Sequence, residues 1–423
     1  MQMYEGLPII TNKITVKEQQ GVPHHLLGFI PLDEEPWRVG LFKKKAGHII
    51  QEIRSRGRLP IVVGGTHYYT QSLLFDDSLV TTEQSNAEEQ AQSDLTNQEV
   101  ADRYPILEGP TEAMIERLQE VDPVMAARWH PQDRRKIRRS LEIFLKTGKK
   151  ASDIYAEQKK RKIIPKKDIE RDPDSPPVAD LSSTLLLWVH AESNILKHRL
   201  DARVDKMMNE GLLKEVISMN EYLKTQENAG LSVDRTRGIW QSIGWKEFEP
   251  YLKSLDSNMT SQRKLSVLCR SSVERVQIAT RQYAKRQIRW IRSKLIYALS
   301  EEDFLDRLYL VDGTDLSQWS ENVLDPATDI TGRFLGGDEL RPPRELSAAA
   351  LEFLSLPNAK NHKDIGFRQE CELCHTTAVT ETEWQTHLKS RRHRGVVKRK
   401  QKNKIRGRYD HQKSGITSPS DTP

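Results

Sequence analysis

Cysteine, long apolar runs and a lysine-bearing phosphate loop are scarce or missing in this sequence. Three cysteines in 423 residues exclude a fold held by several disulfides and fit a reducing compartment. No apolar run reaches the roughly 18 residues of a transmembrane helix, so we expect no membrane span. The pattern G-x-x-x-x-G-K-S/T, which places a lysine on bound phosphates, occurs nowhere in the chain. The start, MQMYEGLPII, is neither a signal peptide nor an Arg-rich transit peptide and reads as the middle of a domain.

Positive charge is concentrated near the C-terminal end of the chain. The formal net charge is +6, yet residues 389–413 alone carry 12 Lys/Arg against one Asp. Such a segment indicates a polyanionic partner such as a nucleic acid. From composition alone, a solubilising or nuclear-targeting tail is an equally good interpretation.

Two apolar segments are typical of strands buried on both faces. In residues 59–63 (LPIVV) and 184–190 (TLLLWVH), odd and even positions are both mainly apolar, so both faces of a strand would be apolar. The first leads into Gly64, Gly65 and Thr66, where two glycines would let backbone N–H groups close on an anion. A helical pattern precedes the first segment, and the later stretch LYLVDGTD indicates another short strand and turn. This alternation predicts an α/β core.

Helix ends are predicted from proline and glycine. Residues 111–148 read as helices broken at Pro123 and Pro131 and capped at Gly148. Residues 194–223 read as a long helix that is interrupted near Gly211.

The stretch CELCHTTAVTETEWQTHLKSRRH has the spacing C-x2-C-x12-H-x5-H. Two thiolates on a turn and two imidazoles on one helix give tetrahedral Zn²⁺ ligation, and a site with four protein ligands is structural. A chance coincidence of spacing is the competing interpretation. The predicted ligands are Cys371, Cys374, His387 and His393. The five-residue His–His gap and the neighbouring basic residues resemble matrin-type fingers, which implies RNA or DNA contact.

Arg199 and Arg203 lie one turn apart on a predicted helix. Neither has a carboxylate three or four positions away, which leaves both available for an external anion. Two solvated or tertiary-paired arginines are the competing interpretation, and the helix pattern alone favours it.

Two basic clusters lie on other predicted helices. Residues 263–294 contain ten Lys/Arg and a single Glu, with Tyr283 and Trp290 interleaved for base stacking. A solvated helix face normally mixes signs, so these single-sign stripes indicate contact with a phosphate backbone. The stripes consist of Arg281, Lys285, Arg289 and Arg292, and of Arg134, Arg135, Lys136, Arg138 and Arg139.

Six segments, in order along the chain, resemble the tRNA isopentenyltransferases, also called tRNA dimethylallyltransferases. They are MQMYEGLPIITNKIT, PHHLL, LPIVVGGTHYY, RLDARVDKMMNEGLLKEV, SIGWKEF and RQYAKRQIRWIR, and the similarity runs from Met1 to about residue 315. The appended finger resembles the eukaryotic members. The resemblance implies an α/β fold with a P-loop-kinase-like parallel sheet core that lacks its N-terminal phosphate loop, an inserted helical domain and a small ββα-type zinc finger.

The resemblance also sets the expected domain boundaries. The expected divisions are a catalytic core at 1–79 and 181–334, an inserted helical tRNA-binding region at 80–180, a linker at 335–364, the zinc finger at 365–395, and a disordered basic tail at 396–423.

The resemblance implies the roles of particular residues. Gly64, Gly65 and Thr66 would hold the diphosphate of dimethylallyl diphosphate, with Thr66 on its bridging oxygen. Arg203 would contact the same diphosphate, and Mg²⁺ would accompany it. Gln2 would begin the segment that meets the flipped-out adenosine. Further contacts to the tRNA anticodon stem-loop would come from Arg135, Arg138, Arg139, Gln241, Lys246, Arg281, Lys285, Arg286, Arg289 and Arg292.

The implied reaction transfers a dimethylallyl group to the exocyclic amine of the adenosine 3′-adjacent to the anticodon. In the family, a phosphate loop and a general-base aspartate precede the position of Met1. This chain contains neither, so we expect it to be inactive as written. The alternative is a non-catalytic RNA-binding protein that acts through finger, tail and basic helices. A P-loop NTPase of another kind fits the six segments poorly. We expect a cytoplasmic monomer, with mitochondrial and nuclear pools also open.

Overall fold

The computed structural model describes residues 1–34, 36–75, 100, 102–161, 181–231, 233–257, 261–355 and 367–400. The chain forms two compact units. The first, which we call the core unit, comprises Met1–Leu79 with Arg171–Pro357, and the second, the insert–finger unit, comprises Val80–Glu170 with Asn358–Pro423.

Helices dominate both units. In chain order the principal elements are α1 (Val39–Ser55), α2 (His67–Leu74), α3 (Thr111–Val121), α4 (Pro123–Arg128), α5 (Arg134–Thr147), α6 (Ala151–Arg161), β1 (Leu186–His190), α7 (Ser193–Glu210), α8 (Leu212–Asn228), α9 (Trp245–Asp256), α10 (Gln262–Trp290), α11 (Ile296–Glu301), β2 (Leu308–Asp312), α12 (Asp325–Gly336), α13 (Ala348–Leu354), β3 (Gln369–Glu370), β4 (Thr377–Ala378) and α14 (Glu381–Leu388).

The sheet of the core unit is parallel, as the sequence predicts. β1 and β2 pair in register from Leu186 opposite Leu308 to His190 opposite Asp312. β2 is buried from Leu308 to Val311, whereas β1 exposes alternate side chains at Leu187 and Val189. The expectation that β1 is buried on both faces is therefore wrong, because its apolar residues meet a packed neighbour on one side only.

The segment at 59–63 is not a strand. Its residues lie in an irregular stretch after α1, and the side chains of Ile61 and Val63 are 75% and 90% exposed. The predicted buried strand is wrong here, because apolar β-branched residues form a strand only where a neighbour completes the hydrogen bonds. Among the residues that the structure describes, no strand pairs with this segment.

The main core lies between the N-terminal segment and helices α7 to α10. Tyr4, Leu7 and Ile10 from the first turn region pack with Val204 of α7 and Phe248 of α9. Gly211 separates α7 from α8 as predicted, and its φ of 111° is a conformation that side-chain-bearing residues avoid. A second cluster packs β2, α11 and the helical turn before α11 against α13.

The insert–finger unit has its own apolar core. Met114, Leu118, Ile137 and Leu141 are fully buried among α3, α4 and α5. The predicted break at Pro123 is confirmed, since Pro123 begins α4 after the Asp122 cap. The predicted cap at Gly148 is confirmed as well, with φ of 67° at the end of α5.

Segments predicted as connectors carry structure of their own. Within the expected linker at 335–364, α13 buries Ala350 and Leu354 in the core unit. Residues 391–400 form a helix, so the beginning of the expected disordered tail is helical, and 401–423 lie outside the described residues. No helix in the described part of the chain is both long and apolar enough to cross a membrane.

Candidate substrate and metal sites

The Gly64-Gly65-Thr66 loop leaves its N–H groups and its hydroxyl without partners among the described residues. Thr66 is the N-cap of α2, but its hydroxyl makes no capping hydrogen bond. Added Cβ atoms at Gly64 and Gly65 would meet nothing within 4 Å, so the backbone faces open space. A helix N-terminus presents unsatisfied N–H groups and a positive dipole end, which together favour an anion. The loop can therefore receive a phosphate-type ligand.

Aromatic contacts hold α2 in place behind this loop. Tyr69 packs edge-on against Phe42 of α1, with ring centroids 4.7 Å apart. Its hydroxyl donates to the carbonyl oxygen of Trp37 at 3.5 Å, and burial raises the pKa of Tyr69. Burial also lowers the pKa of His67, the first residue of α2, which favours its neutral form.

Arg199 and Arg203 prove to have different surroundings. Arg199 donates from Nη1 to the carbonyl oxygen of Gly313 at 2.6 Å, and from Nη2 to that of Thr314. It secures the turn after β2, so the prediction that both arginines are free is wrong for Arg199. No hydrogen bond or ion pair joins Arg203 to any residue that the structure describes. The Arg203 residue is exposed, and partial desolvation of its guanidinium by neighbouring protein lowers the pKa of Arg203.

A pocket of roughly 200 Å³ opens at the carboxyl ends of β1 and β2, a position that sequence reasoning missed. Ligands commonly bind at such ends in parallel sheets. The lining is mainly apolar and aromatic, and its arginine, Arg199, is engaged by two carbonyl oxygens. The pocket therefore lacks a free cation for a diphosphate. It is lined by Trp188, Val189, His190, Ala191, Leu196, Arg199, Ile288, Gly313 and Trp319.

The predicted basic stripe of α10 divides into paired and unpaired parts. Arg281 forms an ion pair with Asp201 of α7, which fastens the two helices together. Arg292 lies over the ring of Phe353 at 5.0 Å. Lys285, Arg286 and Arg289 are exposed and have no polar partner within the described ranges. Lys285 and Arg289 are therefore the members of the stripe that are available to phosphates, and Arg286 lies beside them.

Three other predicted tRNA-binding residues make local bonds in the core unit. Gln2 donates to the carbonyl oxygen of Asn12 at 2.6 Å. Gln241 donates to the carbonyl oxygen of Arg235, also at 2.6 Å, and accepts from Lys246. All these contacts are exposed, so they fix side-chain orientation without removing the groups from solvent.

The basic cluster of the insert is partly structural. Arg138 has a side chain only 16% exposed, donates to the carbonyl oxygen of Leu107 at 3.2 Å and pairs with Glu108 at 2.8 Å. Arg139 lies 3.6 Å from the buried carboxylate of Glu142. Arg135 is exposed and makes no hydrogen bond in the part of the chain that is described, although its charge acts on the nearby Asp133. Sequence spacing placed these residues on one helix but could not separate their roles.

The four predicted zinc ligands converge. One ligand atom from each of Cys371, Cys374, His387 and His393 lies within 4.8 Å of the others. Nδ1 of His393 lies 3.5 Å from each sulfur and 3.1 Å from Nε2 of His387. Tetrahedral bonds of about 2.3 Å to sulfur and 2.0 Å to nitrogen give S···N edges near 3.5 Å and N···N edges near 3.3 Å. The donor set therefore fits Zn²⁺ and leaves no fifth position for chemistry.

The short strands of the finger bring its ligands together. β3 and β4 pair antiparallel, and the N–H of Cys371 donates to the carbonyl oxygen of Thr376 at 3.0 Å. Burial, followed by the neighbouring Cys371, raises the pKa of the Cys374 thiol. A bound cation would oppose that shift, because zinc binds the thiolate.

Residues 2–294 match the IPP transferase family, and residues 370–393 match the zinc fingers of C2H2 type. The chain therefore belongs to the IPP transferase family and carries a C2H2 finger beyond the matching region.

Within this family, the chain is similar to proteins named tRNA dimethylallyltransferase. The chain is 37% identical to the tRNA dimethylallyltransferase of Schizosaccharomyces pombe, over 95% of this chain and 88% of that protein. It is 32% identical to the human tRNA dimethylallyltransferase, over 95% of this chain and 80% of that protein. A solved structure described as a eukaryotic dimethylallyltransferase acting on tRNA matches with a TM-score of 0.72 and 33% identity, covering 97% of this chain and 91% of that one.

Proposed function

We propose that this chain serves the transfer of a dimethylallyl group from dimethylallyl diphosphate to a tRNA adenosine, at the exocyclic amine of the base 3′-adjacent to the anticodon. The relatives named tRNA dimethylallyltransferase and the open Gly64-Gly65-Thr66 loop support this assignment. In the reaction an N–C bond forms, the allylic C–O bond breaks, and the diphosphate leaves with the bonding electrons. The amine proton passes to a base, and we assign no residue of this chain to that role.

The open loop carries the proposal. The leaving diphosphate gains negative charge in the transition state, so donors that are already oriented lower the barrier. The unsatisfied hydroxyl of Thr66 and the N–H groups at the start of α2 are such donors. Arg203, which has no polar partner among the described residues, would supply a positive charge to the same diphosphate. Mg²⁺ would be held mainly by the diphosphate oxygens, as is usual for this ion.

We further propose that a polypeptide of these 423 residues transfers the group slowly. It contains no lysine-bearing phosphate loop, and losing oriented cations and a general base costs several powers of ten in rate. The exposed side chains of Ile61 and Val63, directly before the loop, support the same view because they provide no rigid strand to position it. Turnover at the rate of the Schizosaccharomyces pombe relative would refute this part of the proposal.

Single-turnover kinetics with tRNA and dimethylallyl diphosphate test the loop. Thr66→Ala should lower the rate of the chemical step and leave the Kd for tRNA nearly unchanged, and Thr66→Ser, which keeps a hydroxyl, should largely restore the rate. Arg203→Ala should lower the rate more strongly, because a charged donor is lost. An Arg203→Ala variant with an unchanged single-turnover rate would remove Arg203 from the proposed site. If wild-type turnover of these 423 residues is too slow to measure, the same variants are compared in the Schizosaccharomyces pombe relative at the aligned positions.

Binding of RNA without catalysis is a second candidate. It is supported by the unpaired cations Lys285, Arg286 and Arg289, by Arg135, and by the basic helix at 391–400. Tight, salt-dependent tRNA binding with no transfer, even at high enzyme concentration, would favour this candidate over slow catalysis.

A further inference from the structure

We infer that His130 is a positioning residue that docks the zinc finger on the inserted helices, so that the two present one rigid basic surface to RNA; this rests on the tRNA binding proposed above. Nε2 of His130 lies 3.1 Å from the carbonyl oxygen of Thr377 in β4. The two residues are 247 positions apart in sequence, yet both belong to the insert–finger unit.

The second ring nitrogen of His130 determines which tautomer makes this bond. Nδ1 accepts the backbone N–H of Gln132 at 3.2 Å, so it carries no proton. The proton of the neutral imidazole is then on Nε2, which can donate it to the carbonyl oxygen of Thr377. Both ring nitrogens are used, and the bond to the finger needs no charge on the ring.

The backbone around His130 is also restrained. Pro131 follows it, and a residue before proline is largely restricted to extended conformations. The N–H of Asp133 donates to the carbonyl oxygen of His130 at 2.8 Å. On the preceding side, Trp129 donates from Nε1 to the hydroxyl of Ser140 in α5 at 2.9 Å. These contacts restrain the backbone that carries the imidazole.

The acceptor on the finger is a carbonyl at the edge of a very short hairpin. β4 consists of Thr377 and Ala378 and pairs only with β3 in the described chain. An edge strand has unpaired backbone groups on its outer side. His130 satisfies one of them, and in doing so links the turn that begins α5 to the finger.

Both linked elements carry exposed basic side chains. On α5 these are Arg135, Lys136 and Arg139, and on the finger they are Arg391, Arg392 and Arg394. If the finger were free to move, its cations would have to be ordered each time RNA bound, and that ordering reduces affinity. A docked finger has been ordered in advance. The bond of His130 therefore acts on RNA affinity without touching RNA.

Two substitutions separate this role from general stability. His130→Asn keeps an acceptor for the N–H of Gln132, as in an Asx turn, but is too short to reach Thr377. His130→Gln places an amide donor at about the position of Nε2. His375→Asn is the matched control, because that imidazole is also on the finger but its side chain is 81% exposed.

The measurements use the full 423-residue chain and a fluorescent tRNA anticodon stem-loop over a range of salt concentrations. We expect His130→Asn to weaken binding by about three- to ten-fold, the share of one neutral hydrogen bond. His130→Gln and His375→Asn should bind like the wild type. Zinc content should stay at one per chain, and the slope of log affinity against log salt should not change, because the same phosphates are contacted.

Several outcomes would overturn the inference. In one outcome, deletion of residues 361–423 weakens RNA binding but His130→Asn binds RNA as tightly as the wild type. The proposed RNA-binding role of the finger would then stand, and His130 would have no part in it. Equal weakening in the Asn and Gln variants would exclude a donor role. Loss of zinc from His130→Asn would show that the residue stabilises the finger and does not position it. If the deletion itself leaves binding unchanged, the proposed RNA-binding role of the finger fails instead.

Discussion

Glu215 should control whether the N-terminal segment stays on the core unit. Its two carboxylate oxygens accept the backbone N–H groups of Ile9 and Ile10, at 2.9 and 2.7 Å. The bonds cross more than 200 positions of sequence and connect the first turn of α8 to the segment that contains Tyr4 and Leu7. No other carboxylate in the described ranges accepts hydrogen bonds from these two amides.

The expected loss follows from the two hydrogen bonds. A hydrogen bond to a charged group contributes about 1.5–3 kcal/mol, and an N–H left unsatisfied in a partly buried site adds to the cost. Glu215→Ala should therefore lower the free energy of unfolding of this region by about 3 kcal/mol. Glu215→Gln, which keeps one acceptor oxygen but turns a donor towards the other amide, should lose about half as much.

Hydrogen exchange at the amides of Ile9 and Ile10 measures this effect directly. A loss of about 3 kcal/mol corresponds to a protection factor lower by roughly a hundredfold. Glu221→Ala on the exposed side of α8 is the control and should leave both amides protected. If Ile9 and Ile10 exchange equally slowly in wild type and Glu215→Ala, the carboxylate does not hold this segment.

Two further predictions concern pH and metal. Burial, followed by the nearby Tyr69 and Glu34, raises the pKa of Tyr4 to about 12. The folded protein then keeps a proton that the unfolded chain loses near pH 10, so stability is complete below about pH 10 and falls by about 2–3 kcal/mol towards pH 12. In Tyr4→Phe the free energy of unfolding, measured by chemical denaturation, should fall less steeply between pH 10 and pH 12. An unchanged dependence on pH would contradict this prediction. Chelation should unfold the finger while the core unit keeps its helicity, measured by zinc release and hydrogen exchange over 367–400. A finger that remains protected without zinc would refute that expectation.

Local patterns in the sequence determined much of this protein. The four zinc ligands were predicted correctly from their spacing along the chain. The prediction that both imidazoles lie on one helix is wrong, since His387 lies in α14 and His393 lies in the following helix at 391–400. The helix boundaries at Pro123, Gly148 and Gly211 were likewise confirmed, since a missing N–H or a positive φ acts within one turn. The six ordered segments also identified the IPP transferase family, which the matching over residues 2–294 confirms.

Tertiary structure decided the features that depend on distant partners. Residues 59–63 have the composition of a buried strand, yet Val63 is exposed, because hydrogen bonding and burial come from neighbouring strands and not from the segment itself. Helical spacing in the sequence identified no partner for Arg199 or Arg281. In the structure, carbonyl oxygens after β2 bind Arg199, and Asp201 pairs with Arg281. His130 gave no signal at all in the sequence, since its partner Thr377 lies 247 positions away. Short-range geometry is encoded locally, whereas the pairing of a charge or an edge strand is known only once the chain has folded.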